Sequence, residues 1–287
     1  EMKERLLCDD PSNIELQKEL FENLDKVGKI YENVGEIKKA LTYYMRCIEI
    51  MESLVKKDPG RTDWQRDLGA SLNNVGRIYE SFGEAEKALE YYIRALEISY
   101  SLVKKDPGRT DWQRDLGVSL NNVGRIHEGL GEGEKALEYY VRSLEISESL
   151  EKKEPGRTDW QSRLGAILSN LGRIYENLGE GEKALKYYLR DLEISVSLVK
   201  KDPGRTDWLR DWGVSLNNVG RIYDGLGEGE KALEYYMGSL EAMESLMMKD
   251  PGRPDWQREL GVSLNNVGRI YESFGEAEKA LEYYIRA

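Results

Sequence analysis

Asp58-Pro59-Gly60-Arg61-Thr62-Asp63-Trp64 returns at 106–112, 154–160, 202–208 and 250–256, changed only at Glu154 and Pro254. The copies start 48 residues apart, and a fainter one opens at Asp10-Pro11, one period earlier. Self-similarity at a fixed period of this length is the mark of a stacked array, in which each unit contacts only its neighbours. The functional question therefore moves from a single pocket to a surface presented repeatedly along the stack.

The type unit, 58–105, reads as two helices. Pro59-Gly60 ends what precedes it, and Thr62 followed by Gln65 reads as a capping box. Trp64, Leu68, Leu72, Val75, Ile78, Tyr79 and Phe82 then step by three or four residues, one face of a helix over about 63–81. Gly83-Glu84 breaks it. Ala88, Leu89, Tyr92, Ala95, Leu96, Ser99, Leu102 and Val103 mark a second helix over about 85–104. Two helices joined by so short a turn lie antiparallel, and one such hairpin cannot bury its faces without a neighbour. The expected fold is all-α, a right-handed α-solenoid of antiparallel hairpins. Its segments are 1–9 (the second half of a helix B), 10–57 (divergent), 58–105, 106–153, 154–201, 202–249 and 250–287, the last ending inside a helix B. Gly69 and Gly76 each disfavour the first helix by about 1 kcal/mol relative to Ala. Close helix-to-helix approach is the expected reason for both.

Leu72-x-x-Val75-Gly76-x-x-Tyr79, then Gly83, Ala88, Tyr92 and Ala95, resembles the tetratricopeptide repeat signature with its spacing intact. The Leu-Asn-Asn-Val-Gly wording is most similar to the long repeats of kinesin light chains. Each unit carries about 14 residues beyond the usual length of about 34, extending helix A through Trp64–Gly69 and helix B through 100–105. The resemblance implies a superhelix whose A helices line a concave groove, acting as a protein-interaction scaffold rather than an enzyme. The divergent first repeat keeps Gly28, Tyr31, Gly35, Ala40 and Tyr44 of the signature. It has Leu16 for Trp64, Phe21 for Gly69 and Asp25-Lys26 for the Asn pair.

Two ladders are candidates for ligand contact. Asn74, Asn122, Asn170, Asn218 and Asn266 fall on a polar stripe of helix A with Ala70, Arg77 and Ser81. An amide offers a donor and an acceptor to an extended peptide; alternatively these asparagines bridge neighbouring A helices or bind water. Arg77, Arg125, Arg173, Arg221 and Arg269, with Lys29 before them, each precede an acid by one turn (Glu80 after Arg77). They read either as ion pairs within the helix or as acceptors of a ligand carboxylate.

The remaining features have plainer readings. The five aligned tryptophans, Trp64 to Trp256, are packing anchors; Trp212 is an isolated variation, and of the pair Tyr91-Tyr92 the second belongs to the core. His127, the single histidine, stands where Tyr79 does and is structural. The Gly-Glu-Gly-Glu runs at 131–134, 179–182 and 227–230 are turns whose acids repel phosphate. Cys8 and Cys47 have no counterparts in later repeats and form no disulfide or metal pattern; Cys47 replaces Ala95 and is expected buried. No catalytic constellation or cofactor motif is visible. With 42 basic against 53 acidic side chains and a net charge of −11, the chain is not expected to bind nucleic acid. No apolar run reaches membrane-spanning length, and a cytoplasmic setting is the default. The expected partner is a protein or extended peptide. Because both ends fall in the same phase of a helix B, the chain also reads as an excerpt of a longer array. Such ends allow head-to-tail self-association into an open stack, the alternative function.

Overall fold

The computed structural model describes residues 13–287, so Cys8, Asp10-Pro11 and the half-helix expected at 1–9 lie outside the described residues. Every regular element among those residues is an α-helix. The chain divides into two compact units, the first ending at Ile146 and the second beginning at Ser147. The first contains α1 (Ile14–Asn33), α2 (Ile37–Lys57), α3 (Thr62–Ser81), α4 (Ala85–Lys105), α5 (Thr110–Gly129) and the start of α6 (Gly133–Lys153). The second contains the rest of α6, then α7 (Thr158–Asn177), α8 (Gly181–Lys201), α9 (Thr206–Gly225), α10 (Gly229–Lys249), α11 (Pro254–Ser273) and α12 (Ala277–Arg286). Odd-numbered helices are A helices and even-numbered ones B helices. Each unit is a run of antiparallel hairpins stacked as in an α-solenoid.

The A helix begins one residue earlier than the periodicity predicts, and the capping box does not form. Thr62 is already helical, and Arg61 takes the cap position without a side-chain cap bond. Gln65 instead donates from Nε2 to the Pro59 carbonyl at 2.9 Å, tying the helix to the turn before it. In that turn the Asp58 carboxylate accepts from Gly60 N–H at 3.0 Å, and Asp106 and Asp202 do the same for Gly108 and Gly204. Glu154 is too long for this short loop. There Gly156 turns to φ +79° and its N–H donates to Glu151 Oε1 at 3.0 Å, so one added methylene changes the turn.

The other turn is built the same way throughout. Gly83 has φ +73°, Gly83 N–H donates to Glu80 O and Glu84 N–H to Tyr79 O, both at 2.9 Å, which closes the end of the A helix. Phe82 therefore sits in the cap rather than on the helical face where its spacing placed it, and it is 38% exposed. Leu130, Leu178, Leu226 and Phe274 are exposed at the same point for the same reason.

The core forms where a B helix meets the next A helix. In the first unit Ala88, Tyr92 and Leu96 of α4 cluster with Leu116, Leu120, Val123 and Ile126 of α5. In the second, Ala184 and Tyr188 of α8 cluster with Val219 and Ile222 of α9, and Ala232, Tyr236 and Leu240 of α10 with Leu264, Val267 and Ile270 of α11. Each fully buried large side chain contributes about 1.5–3 kcal/mol.

The two helix glycines turn out to differ. A Cβ on Gly76 would lie 2.7 Å from Tyr92 Cδ1 and Cε1, and the ring is completely buried and cannot retreat. The same contact recurs at Gly28, Gly124, Gly172, Gly220 and Gly268, each against the tyrosine of its own hairpin. At Gly69 the nearest atom would be Ile98 Cγ2 at 3.6 Å, an ordinary contact. Close approach accounts for Gly76 and does not account for Gly69; Phe21 occupies the equivalent place in the first repeat, packed against the core. Gly69→Ala is accordingly expected to raise stability by up to about 1 kcal/mol through helix propensity. Gly76→Ala should lower it by about 1–3 kcal/mol through overpacking. Urea denaturation of the two variants side by side checks the contrast, and equal effects would refute it.

Candidate functional site

The asparagines project from the A helices, half-buried between neighbouring repeats. In the first unit Asn122 Nδ2 donates to Asn73 Oδ1 at 3.2 Å, and Asn73 Nδ2 to Ser119 Oγ at 3.3 Å. In the second, Asn218 Nδ2 donates to Ser169 Oγ at 3.4 Å and Asn266 Nδ2 to Asn217 Oδ1 at 2.7 Å. The second asparagine of a pair thus reaches the first position of the preceding pair, bridging adjacent A helices. Asn170 and Asn218 also accept from Arg173 and Arg221 on their own helices, each at 3.0 Å. A side-chain amide has two donor hydrogens and two acceptor lone pairs, so the bonds of Asn122, Asn218 and Asn266 leave capacity unused. Asn74 makes no hydrogen bond to another described residue and is half-exposed.

The arginine ladder pairs with different acids from those its spacing suggests. Arg125 Nη2 donates to Glu80 Oε2 of the preceding repeat at 2.6 Å, not to the acid one turn ahead on its own helix. Arg77 pairs likewise with Glu32, Arg221 with Glu176, and Arg269 with Asp224 at 2.7 Å. The cause lies in the hairpin. Tyr92 of the B helix donates its hydroxyl to Glu80 at 2.9 Å, and Tyr44, Tyr140 and Tyr188 hold Glu32, Glu128 and Glu176 in the same way. That bond orients the acid toward the next A helix, whose arginine completes the contact; the same guanidinium lies 3.4 Å from the Tyr92 hydroxyl. Burial, then the neighbouring carboxylate, pushes the Tyr92 phenol well above its usual range, so it stays a donor. Lys29 pairs with Asp25 at 2.5 Å. These charges join repeats, which leaves less of them for a ligand.

The tryptophans are buried, between 2% exposed at Trp64 and 6% at Trp208. Each is roofed by the arginine three residues before it, with Arg61 4.5 Å from the Trp64 ring centre and Arg205 3.9 Å from that of Trp208. Arg61 is held there by a fork of two bonds to Asp63, at 2.9 and 2.7 Å, and this lowers the Asp63 carboxyl below its ordinary value. The whole Arg-x-Asp-Trp phrase is therefore one clamp. Its signal was the phrase itself, which periodicity reads only as a turn and a helix start.

Tyr79 stacks on Tyr91, with ring centres 5.5 Å apart, and Tyr92 is fully buried. His127 keeps the stack against Tyr139 at 5.4 Å and shares a 2.5 Å hydrogen bond between Nδ1 and Glu132, a structural role. Cys47 is buried, and burial pushes its thiol up to about 12. Among the described residues no group of three or more His, Cys, Asp or Glu side chains could hold a metal, and no helix is long and apolar enough to cross a membrane.

One charged residue departs from the repeat pattern. Asp191 of α8 stands where the other B helices carry Cys47, Ala95, Ser143 or Ser239, and it is 7% exposed. Ser215 Oγ lies 2.8 Å from Asp191 Oδ2 and also 2.8 Å from the Asp211 backbone carbonyl. One hydroxyl hydrogen cannot serve both. A protonated Asp191 donating to Ser215, with Ser215 donating to the carbonyl, satisfies all three groups. Desolvation, reinforced by the Asp211 charge, raises the Asp191 carboxyl to about 7. Reading a consensus repeat passes over this residue; comparing each repeat with its siblings would have found it.

Patterns described as tetratricopeptide repeat match residues 22–52, 68–106, 116–154, 167–205, 214–243 and 262–287. No curated protein matches the chain significantly. Among solved structures, BtubC from P. vanneervenii is similar at 20% identity, with 87% of this chain and 89% of that one covered and a TM-score of 0.66. A signal-transduction ATPase from Pyrococcus horikoshii with a tetratricopeptide repeat sensor aligns with 99% of this chain at 18% identity and TM-score 0.64. Only 37% of that longer chain is covered. A Podosopora anserina putative kinesin light chain with nearly identical repeats gives 15% identity, 81% and 97% coverage and TM-score 0.54. With the signature matched over most of its length, the chain belongs to the tetratricopeptide-repeat family.

Proposed function

We propose that the exposed face of the A helices binds an extended peptide segment of a protein partner through the asparagine ladder. Each unit carries its own stretch, Asn74 and Asn122 in the first, Asn170, Asn218 and Asn266 in the second. The observation that carries this reading is the amide capacity left over along the ladder, clearest at Asn74, which is half-buried like the others and makes no hydrogen bond to another described residue. Arg77, Arg125, Arg173, Arg221 and Arg269 flank the ladder; where their pairing with a preceding acid is resolved, as at Arg125, they frame the surface rather than supply free charge. Each peptide hydrogen bond adds only about 0.5–1.5 kcal/mol net, so several act together.

The test uses peptides selected against the whole chain from a random displayed library. Asn122→Ala, Asn170→Ala and Asn218→Ala combined should weaken peptide binding by about tenfold or more with helicity retained. Asn74→Ala is the clean single change, since it removes no inter-repeat bond. Unchanged peptide affinity in both, with a lower melting temperature in the triple variant, would leave the ladder as a purely structural bridge.

A further inference from the structure

A cavity of about 230 Å³ opens among α7, α8 and α9, wholly within the second unit, lined by Ser162, Gly165, Asn170, Asp191, Asp211 and Ser215 among others. Two substitutions relative to the sibling repeats create its character. The first is Asp191, whose single hydrogen bond among the described residues involves Oδ2. Its Oδ1 is held close over Gly165, where a Cβ would stand only 2.9 Å away, so this glycine makes room for the carboxylate.

The second is Ser162. Its equivalents Arg66 and Arg210 reach forward to the next A helix, Arg66 to Asp115 at 2.5 Å and Arg210 to Glu259 at 2.6 Å. The residue in the corresponding register ahead of Ser162 is Asp211. Serine is too short to reach it, and the exposed Asp211 is left with only the neighbouring Arg210 as an opposite charge, a guanidinium already paired with Glu259. A homologous cavity of about 260 Å³ recurs one repeat later, but there Arg210 pairs with Glu259 at its wall; this one lacks that guanidinium. A buried carboxyl group lines it, the Asp211 carboxylate stands at its wall without a salt-bridge partner, and hydroxyl, amide and apolar groups, Ile194, Leu198 and Val214 among them, make up the remainder.

We propose that this cavity accepts a basic side chain, arginine or lysine, from the peptide partner, which supplies in trans the cation that Ser162 omits. Opposite charge and forked hydrogen bonding to carboxylate favour such a group over neutral or acidic ones. The proposal deepens the peptide-binding reading of the A-helix face and rests on it for the source of the side chain. The pocket itself can be tested without any peptide.

The probes are Nα-acetyl-argininamide and Nα-acetyl-lysinamide, with the norleucine and glutamate analogues as controls, titrated at about pH 8, where Asp191 has given up its proton, into the full chain and followed by amide NMR shifts. Saturable shifts should be confined to residues around Gly165, Asp191 and Ser215, and should be absent with the norleucine and glutamate analogues. Asp191→Asn should weaken probe binding by about tenfold or more, and Ser162→Arg, which restores the sibling arginine, should abolish it. Both variants are expected to fold, the first by keeping the Ser215 bond and the second by restoring a pair found elsewhere in the array. No saturable shifts, equal shifts with norleucine, shifts spread over all repeats, or binding unaffected by both variants would each overturn the pocket. If the probes bind as expected while the asparagine variants leave peptide affinity unchanged, the pocket stands and the ladder reading fails.

Discussion

Asp191→Asn stabilises the protein by on the order of 4 kcal/mol near pH 8 and by little below about pH 4. The folded carboxyl keeps its proton up to about 7, whereas in the unfolded chain it releases it near its ordinary 3.8. Between those values the folded state binds the extra proton, so this group's contribution to stability falls as pH rises, and above about 7 the full penalty applies. Asparagine is isosteric, carries no charge, and can donate from Nδ2 to Ser215 Oγ while Ser215 keeps its bond to the Asp211 carbonyl. Denaturant unfolding of both proteins across this pH range checks it. A stabilisation independent of pH would mean that Asp191 titrates alike in the folded and unfolded protein, and a loss at high pH that it is ionised and paired in the folded one.

Trp64→Ala should lower stability by about 3–5 kcal/mol, the usual range for deleting a fully buried large aromatic. Trp64 is 2% exposed and shares a cluster with Met51 and Leu54 of α2 and Leu68 of α3, so its loss opens the seam between two repeats of the first unit. Arrays of this kind hold together through nearest-neighbour interfaces. The unfolding transition should therefore broaden as well as shift, since repeats on either side of the seam then melt with less coupling. Trp64→Phe should do much less, because it keeps most of the apolar volume and the indole Nε1 is buried with no hydrogen-bond partner to lose. Equal losses in the two variants would point instead to the indole ring edge, and an unshifted midpoint in the alanine variant would remove the anchoring role.

Helix positions were readable because apolar spacing and Gly turns act locally. The B helix expected over about 85–104 is found at Ala85–Lys105. Partners across the stack were less readable. The spacing of Arg77 and Glu80 suggests a pair along one helix, but the Tyr92 hydroxyl turns the acid toward Arg125 of the next repeat. Gly69 and Gly76 look alike as letters and differ by whether a tyrosine ring lies against them. The cap at Thr62 failed because Gln65 found the Pro59 carbonyl.

By itself the sequence determined the period, the paired helices, the burial of Trp64 and Tyr92 and the polar stripe that carries the asparagines, all consequences of local periodicity and of amphipathic faces that must be covered. Only the tertiary structure decided which charges meet, which glycine is obligatory, and that Asp191 lines a cavity beside an unpaired Asp211. Those outcomes depend on distances between helices, within a hairpin for Gly76 and Tyr92 and between repeats for Arg125 and Glu80, and packing geometry, not sequence spacing, sets such distances.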